Sequence, residues 1–305
     1  MSLPSKTETP PRHGQWSGRT AGLPLMHRWL IAACRVLPLW FLYTGMAVLV
    51  VPPYMLLAHK GYISMYHYYR KRWRRSPLKS FLGVYKNHFR FGQVIIDRFY
   101  CYAGGRFEID IENYDTYLKL EQEAGSFMIV SSHIGNYEMA GYRLKAQHKR
   151  FNALAFGGEA HTVMYNREKT LSSNNIRVVR VQSDMSHLFI LSNALADGEV
   201  VSLPGDRLLG SPRSVECDFL GAKAKFPMGP FALAAQRQVP VLAVVAVKVG
   251  MKKYHVDVTR LPQAPATASR NEKINFLAQA FASYAEGILA KYPEQWFNYF
   301  EFWDQ

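Results

Sequence analysis

The sequence predicts an α/β protein with a mixed, mostly parallel central sheet flanked by helices, preceded by an N-terminal hydrophobic membrane helix or hairpin. Three observations support this prediction. The chain has 305 residues, enough for one large domain with its own core and an additional N-terminal segment. A long uncharged stretch lies near the start of the chain. After Gly105, short β-rich runs alternate with helical patterns.

The N-terminal region contains a polar tail followed by an apolar stretch. Residues 1–25 are rich in Pro, Ser, Thr and Gly and have no apolar periodicity, which predicts a disordered tail. The stretch 36–58 has no charged residue. As a helix it would be about 34 Å long, enough to cross a bilayer core of about 30 Å. Three prolines interrupt it and Lys or Arg residues flank both ends, so a spanning anchor, a re-entrant hairpin and a buried core helix all remain open.

The segment 62–75 combines aromatic residues with the basic run RKRWRR. This composition is typical of a helix lying on an anionic membrane, and a solvated basic helix is the alternative. Residues 26–80 are therefore predicted to anchor the protein at a membrane. The whole chain has 37 Lys and Arg residues against 23 Asp and Glu residues, a net charge of +14, which favours anionic partners. Nucleic acid is not expected, since no recognition motif accompanies the charge.

The remaining chain is predicted to alternate between strands and helices. Strands are predicted at Phe127–Ser131, Phe151–Phe156, Ile176–Val181, Val200–Pro204 and Val239–Val247. Helices are predicted at Tyr137–His148, Ser183–Ala196, Pro230–Arg237 and Asn271–Ala290. This alternation favours a mostly parallel sheet with helices on its faces, and functional sites in such sheets gather where strands end and helices begin.

The block HIGNYE, His133 to Glu138, follows the first predicted strand. On one continuous helix, two residues five apart would point about 140° from each other. If His133 ends the strand, Gly135 and Asn136 form a turn and Glu138 begins the helix, the two side chains can meet. The carboxylate would hold one imidazole N–H and leave the other nitrogen as a general base, and backbone N–H groups near the helix start would stabilise an oxyanion. From the spacing alone, a structural histidine is the alternative.

HIGNYE resembles the His-x4-Asp/Glu block of the lysophospholipid acyltransferase superfamily. Its Gly-Asn-aromatic-Glu form is similar to the branch of bacterial late-stage lipid A (lauroyl or myristoyl) acyltransferases. Downstream, ADGEVVSLPGDR, then DFLGAKAKFPMGPFALAAQRQVPVLAVVAV, then YPEQWFNYFEFW follow the order of that branch, and the resemblance extends over roughly residues 25–303. It implies an acyltransferase catalytic domain at 81–305, with His133 as general base and Glu138 as its partner.

One motif departs from the superfamily. Glycerophosphate-type members carry a Phe-Pro-Glu-Gly block for phosphate recognition. This chain has Phe226, Pro227, Met228 and Gly229, without the glutamate. The departure puts a simple glycerol-3-phosphate or lysophosphatidate acceptor in doubt, and the sequence identifies neither the acceptor lipid nor the acyl chain length.

Four further residues are predicted to bind substrate. Asp206 and Arg207 follow the strand Val200–Pro204; Asp206 would orient the acceptor or hold the catalytic region, and Arg207 would neutralise phosphate or a carrier's phosphopantetheine arm. A structural Asp–Arg turn is the alternative. Arg167, between the second and third strands, is a candidate for the same anion-binding task or part of a solvated face. Asn136, in the predicted turn, completes the set.

The resemblance implies transfer of a fatty acyl group from acyl carrier protein or acyl-CoA to a hydroxyl or amine of a membrane lipid acceptor. The expected location is the inner membrane, with the catalytic domain on the cytoplasmic face. No cofactor besides the acyl-ACP or acyl-CoA co-substrate is expected, and no metal, because the scattered histidines offer no third ligand. A non-catalytic lipid-binding protein of the same fold and an acyl-ester or thioester hydrolase remain the alternatives.

Overall fold

The computed structural model describes residues 24–155, 161–172, 174–182, 184, 186–208 and 213–305. The predicted tail lies outside the described residues, apart from Pro24 and Leu25 at the start of the first helix. The helices are α1 (Pro24–Val36), α2 (Leu39–Gly45), α3 (Val51–Leu57), α4 (His59–His67), α5 (Pro77–Tyr102), α6 (Tyr114–Gln122), α7 (Tyr137–Arg143), α8 (His161–Ser172), α9 (Ser186–Ala196), α10 (Met228–Arg237) and α11 (Arg270–Lys291). The strands are β1 (Glu108–Glu112), β2 (Phe127–Gly135), β3 (Phe151–Ala155), β4 (Ile176–Arg180), β5 (Val200–Pro204), β6 (Ser214–Phe219), β7 (Ala222–Pro227), β8 (Val241–Gly250) and β9 (Lys253–Arg260).

Seven strands form the central sheet in the order β1-β9-β8-β2-β5-β3-β4. Every neighbouring pair is parallel except β8 and β9, which form an antiparallel hairpin. This arrangement confirms the predicted fold class. The two inner strands β2 and β8 are almost continuously buried, as expected for strands covered on both faces. β6 and β7 form a separate antiparallel hairpin against α11.

The five predicted strands all form, at β2, β3, β4, β5 and β8. β2 continues four residues beyond the predicted end at Ser131, and α7 ends at Arg143 rather than at His148. The helix stops because Leu144 adopts a non-helical conformation, after which Glu121 accepts hydrogen bonds from the backbone N–H groups of the following loop.

The N-terminal helices form a layer beside the sheet, organised around α5. Ser76 caps α5 by accepting a hydrogen bond from the backbone N–H of Lys79, and Pro77 occupies its first turn. The apolar segment, Leu39–Leu57, consists of α2, a π-helical turn and α3. It is the helical stretch among the described residues that is long and apolar enough to cross a membrane. α5 runs without interruption through position 80, where the sequence places a domain boundary.

A buried polar cluster joins this layer to the sheet. The carboxylate of Asp97, in α5, accepts hydrogen bonds from the hydroxyls of Tyr43 and Tyr254 and forms an ion pair with Lys248, whose Nζ lies 2.6 Å away. All four side chains are buried. The carboxylate of Asp97 therefore connects three separate parts of the chain: α2, α5 and the β8–β9 hairpin.

The segment 293–298, called here the bridging segment, crosses the end of the sheet. Gln295 exchanges two hydrogen bonds with the backbone of Lys248, at 2.8 and 2.9 Å. Asn87, in α5, donates to the carbonyl of Trp296. Trp296 forms an isolated antiparallel bridge with Ile134, at the end of β2. The bridging segment therefore connects α5, β8 and the last residues of β2.

Candidate active site

His133 lies near the carboxyl end of β2, in the middle of the sheet. The strand does not end at His133 but continues to Gly135, with a register irregularity against β8 between Ser131 and Gly135. Gly135 has φ +66°, and an added Cβ there would collide with the carbonyl oxygen of Ala246. Only glycine adopts this conformation at such close approach without strain. The backbone after His133 is therefore fixed against β8 before α7 begins.

Asp206 is the carboxylate that holds His133. Its Oδ1 lies 2.8 Å from Nδ1 of the imidazole, and its Oδ2 accepts a 2.7 Å hydrogen bond from the backbone N–H of His133. Pairing of β5 with β2 brings the two residues together, since Ser131 lies opposite Pro204 and Gly205 donates to the carbonyl of Ser131. Asp206 thus follows the neighbouring strand at the same edge of the sheet.

This contact determines which imidazole nitrogen can act as a base. An ionised carboxylate only accepts hydrogen bonds, so Nδ1 carries the hydrogen and the lone pair is on Nε2. Burial by itself would raise the pKa of Asp206, but the charge and hydrogen bonds of His133 and the charge of Arg207 outweigh burial and lower it. The side chain of His133 is 18% exposed and that of Asp206 only 5%. The pair therefore combines a shielded anion with an imidazole that reaches the surface.

Glu138 does not hold His133, so the predicted His133–Glu138 contact is wrong. Oε1 of Glu138 instead pairs with Arg167, at 2.9 Å from Nε and 2.8 Å from the terminal nitrogen, and with Nε of Arg98 at 3.0 Å. The physical reason is that β2 does not end at His133 but continues to Gly135, so that the side chain of Glu138, in the first turn of α7, is directed into the core. That Glu138 belongs to the catalytic region stays a prediction. Its observed contacts are with arginine side chains and not with His133.

The Glu138 cluster consists of Glu138, Arg98 and Arg167. Burial would raise the pKa of Glu138, but the charges of Arg167 and Arg98 outweigh burial and lower it. One carboxylate thus lies between two guanidinium groups, all of them largely buried. Arg167 belongs to this cluster rather than to a solvated face, which excludes the alternative reading of its position.

Arg207 lies beside the pair of His133 and Asp206, called here the dyad, and its side chain reaches the bridging segment. Its terminal nitrogen donates a 2.7 Å hydrogen bond to the carbonyl of Phe297, and the backbone N–H of Phe297 donates to the carbonyl of His133 at 3.0 Å. Burial lowers the pKa of Arg207 to about 10. Arg207, Phe297 and His133 form a continuous chain of hydrogen bonds, which gives Arg207 a structural task in addition to any contact with substrate.

Asn136 is buried at the start of α7. Its backbone N–H donates to the carbonyl of Ala246 at 2.7 Å, and its carbonyl accepts from the backbone N–H of Met139. The backbone N–H groups of His133 and Asn136 are thus already bonded to protein acceptors. These two groups are not the oxyanion donors that the sequence predicted near the helix start.

Two parts of the site were missed by sequence reasoning. Arg98 lies in α5, which the sequence pattern did not predict, and Phe297 lies in the run YPEQWFNYFEFW, which entered the prediction only through its place in the motif order. An available signal was the adjacent pair of Asp97 and Arg98 in a helix rich in aromatic residues. Among the residues that the structure describes, no group of three or more His, Cys, Asp or Glu side chains is arranged to hold a metal.

Comparisons with known proteins agree with the motif order. The family described as bacterial lipid A biosynthesis acyltransferase matches residues 105–303. Among solved structures, the chain is similar to the 1-acyl-sn-glycerophosphate (LPA) acyltransferase PlsC from Thermotoga maritima, with 12% identity, a TM-score of 0.39, and coverage of 87% of this chain and 97% of PlsC. No curated protein sequence matches the chain. The family match confirms the resemblance that the sequence motifs indicated.

Proposed function

The chain belongs to the family of bacterial lipid A biosynthesis acyltransferases and acts on lipid substrates, and we propose that His133 and Asp206 carry out its acyl transfer. The observation that carries this proposal is the 2.8 Å contact between Nδ1 of His133 and Oδ1 of Asp206. A buried carboxylate that fixes the tautomer of a surface-reaching imidazole is the arrangement required of a general base.

The proposed reaction uses a fatty acyl thioester and a lipid hydroxyl or amine. Nε2 of His133 takes the proton from the acceptor while the acceptor atom attacks the thioester carbonyl carbon. The tetrahedral intermediate then collapses, the carbon–sulfur bond breaks, and the leaving thiolate takes the proton back from Nε2. Asp206 stays ionised throughout and stabilises the imidazolium that forms between the two steps.

Positive charge next to the dyad supports an anionic substrate or intermediate. Arg98 and Arg167 form ion pairs with Glu138, five residues after His133. Arg207 is fixed beside Asp206 by the bridging segment. In a shielded site, such preorganised charge stabilises an oxyanion or a phosphate far better than water does. We assign Arg167 and Arg207 to substrate binding on this basis, and Asn136 to positioning the start of α7.

The donor and the location belong to the same proposal. Acyl carrier protein or acyl-CoA would supply the thioester, and the chain's net charge of +14 suits either anionic donor. No further cofactor enters the reaction. The candidate membrane helix and the lipid acceptor support attachment to the inner membrane with the catalytic site on the cytoplasmic face, where both donors are made. A lipid A precursor is the first acceptor to test, following the family description.

The test is an assay of purified protein with acyl-ACP or acyl-CoA and a lipid A precursor, recording thiol release and the acylated lipid together. Stoichiometric appearance of both, lost in His133→Ala, is the expected result. Free fatty acid without acylated lipid would indicate a hydrolase instead. Absence of thiol release with every acceptor would indicate a non-catalytic lipid-binding protein.

The acceptor can be identified independently in cells. Comparative lipid mass spectrometry of a deletion strain and its parent should show one lipid class that lacks a single acyl group in the deletion strain. The mass difference gives the acyl chain length. The proposed role in lipid synthesis would be contradicted if the deletion strain had the same lipid profile as its parent and re-expression of the protein did not change that profile either.

A further inference from the structure

The helices that precede the sheet carry most of the protein's charge imbalance. Residues 24–102 contain twelve Lys and Arg residues and one acid, Asp97, a net charge of +11. The rest of the chain has 25 Lys and Arg residues against 22 Asp and Glu residues and is close to neutral. Because Asp97 is fully buried, this layer presents no acidic side chain to its surroundings.

The same layer carries most of the exposed apolar side chains. Of 23 large apolar side chains that are exposed in the described part of the chain, sixteen lie between residues 24 and 102. They belong to α1, to the apolar segment, to the residue Leu37 between these two, and to the first turns of α5; examples are Trp29, Trp40, Leu56, Leu57 and Leu78. Such a concentration of apolar and cationic surface in one layer is typical of a site that binds an anionic membrane.

The other face of the apolar segment is attached to the protein. Its buried residues are Leu39, Tyr43, Met46, Val51 and Met55, and 28% of the segment is buried. Met46 lies against α5 where an added side chain on Gly92 would collide with it. The carbonyl of Ala47 accepts a 3.0 Å hydrogen bond from Tyr85, also in α5. The segment is therefore docked on α5 over its whole length.

Docking is incompatible with crossing the bilayer. If the segment crossed alone, the hydrogen bond from Tyr43 to Asp97 and the packing on α5 would be lost. If α5 accompanied it, charged residues of α5 such as Lys86 and Arg90 would enter the hydrocarbon, which costs about 3 kcal/mol for each charge. Neither arrangement is favourable, whereas a segment lying flat keeps every contact.

We propose that residues 24–102 bind an anionic lipid leaflet in the plane of the membrane, with both ends of the apolar segment on the same side of the bilayer. The exposed apolar side chains would enter the leaflet to a depth of about 5–10 Å. The flanking cations would lie at the anionic headgroups. This attachment does not depend on the acyl transfer proposed above, and its tests measure binding and topology alone.

The first test determines the topology. Single cysteines are introduced as Arg35→Cys and Lys60→Cys, at exposed positions on either side of the apolar segment, in a variant whose three native cysteines are replaced by alanine. Right-side-out and inverted membrane vesicles from expressing cells are labelled with a membrane-impermeant maleimide. Both positions should react in the same vesicle orientation. Reaction in opposite orientations would show a spanning helix and overturn the proposal.

The second test distinguishes an in-plane segment from a re-entrant hairpin, which gives the same labelling. A fluorophore attached at Val48→Cys, near the middle of the segment, is quenched by lipids brominated either near the headgroup or near the chain end. In-plane binding predicts stronger quenching by the bromine near the headgroup. Stronger quenching by the deep bromine would overturn the proposal.

The third test concerns the apolar face itself. Leu56 and Leu57 are 81% and 85% exposed, so the double variant Leu56→Glu/Leu57→Glu should fold normally. Its partitioning onto phosphatidylglycerol vesicles should fall at least about tenfold, since two apolar contacts are lost and two like charges are added. The matched control is Phe276→Glu, on α11 and 38% exposed, which should bind as the unaltered protein does. Equal binding of the double variant and the control would overturn the proposal, as would equal binding to zwitterionic and anionic vesicles.

Discussion

Asp206 and Glu138 both follow strands of the central sheet, but they meet different partners. Asp206 is 73 residues from His133 in sequence and forms two hydrogen bonds with it. Glu138 is five residues from His133 and pairs with two arginines. The first acid holds a partly exposed imidazole, and the second neutralises buried guanidinium groups. Proximity in sequence therefore identifies the region of the site, whereas strand pairing decides which acid serves the base.

In the proposed function the Asp206 side carries the chemistry, and we expect the Glu138 side to act first on stability; substitutions on each side can separate the two. The largest effect is expected for His133→Ala, which should lower acyl transfer about 10⁴-fold, near the top of the range for general-base catalysis. The melting temperature should fall only modestly, because the buried carboxylate of Asp206 loses the imidazole but keeps the hydrogen bond from the backbone N–H of residue 133. Turnover within tenfold of the unaltered protein in a steady-state assay would contradict the assignment of the base.

The next effect in size is expected for Asp206→Asn. An asparagine amide can donate to Nδ1 and so favour the unproductive tautomer, and transfer should fall about 10³-fold. Asp218→Asn, at an exposed position in β6, is the matched control and should retain full turnover. If Asp206→Asn and its control were equally active, the dyad would have no part in the reaction.

Glu138→Gln is expected to act on stability first. Removing the carboxylate takes an ion-pair partner from both Arg98 and Arg167 in a buried site, which should lower the free energy of unfolding by about 3 kcal/mol. The double variant Glu138→Gln/Arg98→Gln also removes one of the two guanidinium groups that lose this carboxylate and should recover part of that loss in denaturant unfolding. A double variant less stable than Glu138→Gln alone would show that charge balance is not the role of this glutamate.

The smallest effect is expected for a third acid that also contacts a histidine, Glu121. It accepts hydrogen bonds from the imidazole of His148 and from backbone N–H groups in the loop after α7. Burial would raise the pKa of Glu121, but these hydrogen bonds outweigh burial and lower it. Glu121→Gln should cost about 1–2 kcal/mol of stability at pH 7 and leave turnover unchanged.

The pH dependence of Glu121 follows from the direction of its shift. Because the folded-state pKa lies below the unfolded one, its contribution is present above the unfolded pKa and is lost as pH falls through the folded one. Thermal unfolding of the unaltered protein and Glu121→Gln should therefore converge at low pH. A difference that grows on acidification would contradict this sign.

Much of the fold could be predicted because its central strands are apolar and bounded by turns. β5 was predicted to the residue, and β2 as far as Ser131. β1 and β9 were not predicted, because both alternate with charged residues; in β1 the exposed positions are Glu108, Asp110 and Glu112. α5 was not predicted, although its apolar and polar residues segregate at helical spacing and Ser76 and Pro77 mark its start.

Three of the candidate site residues lie together, and one predicted contact is wrong. His133, Asp206 and Arg207 all lie together, as residues at strand ends in a parallel sheet should. Their pairing depends on β5 lying next to β2, and strand order is a non-local property that no spacing within one motif specifies. The extension of β2 to Gly135 could not be predicted from the sequence either, since it depends on the close approach of Gly135 to the carbonyl of Ala246 in another strand.

The bridging segment has a consequence for how the protein is made. A ribosome synthesises His133 and Asp206 long before Phe297, whose backbone N–H holds the carbonyl of His133 and whose carbonyl holds Arg207. A nascent chain that has not yet emerged through Phe297 contains both His133 and Asp206 but lacks the bridging-segment contacts that hold the backbone of His133 and the side chain of Arg207. Activity should thus arise only after this late segment has left the exit tunnel and docked, so that growing chains do not consume thioester.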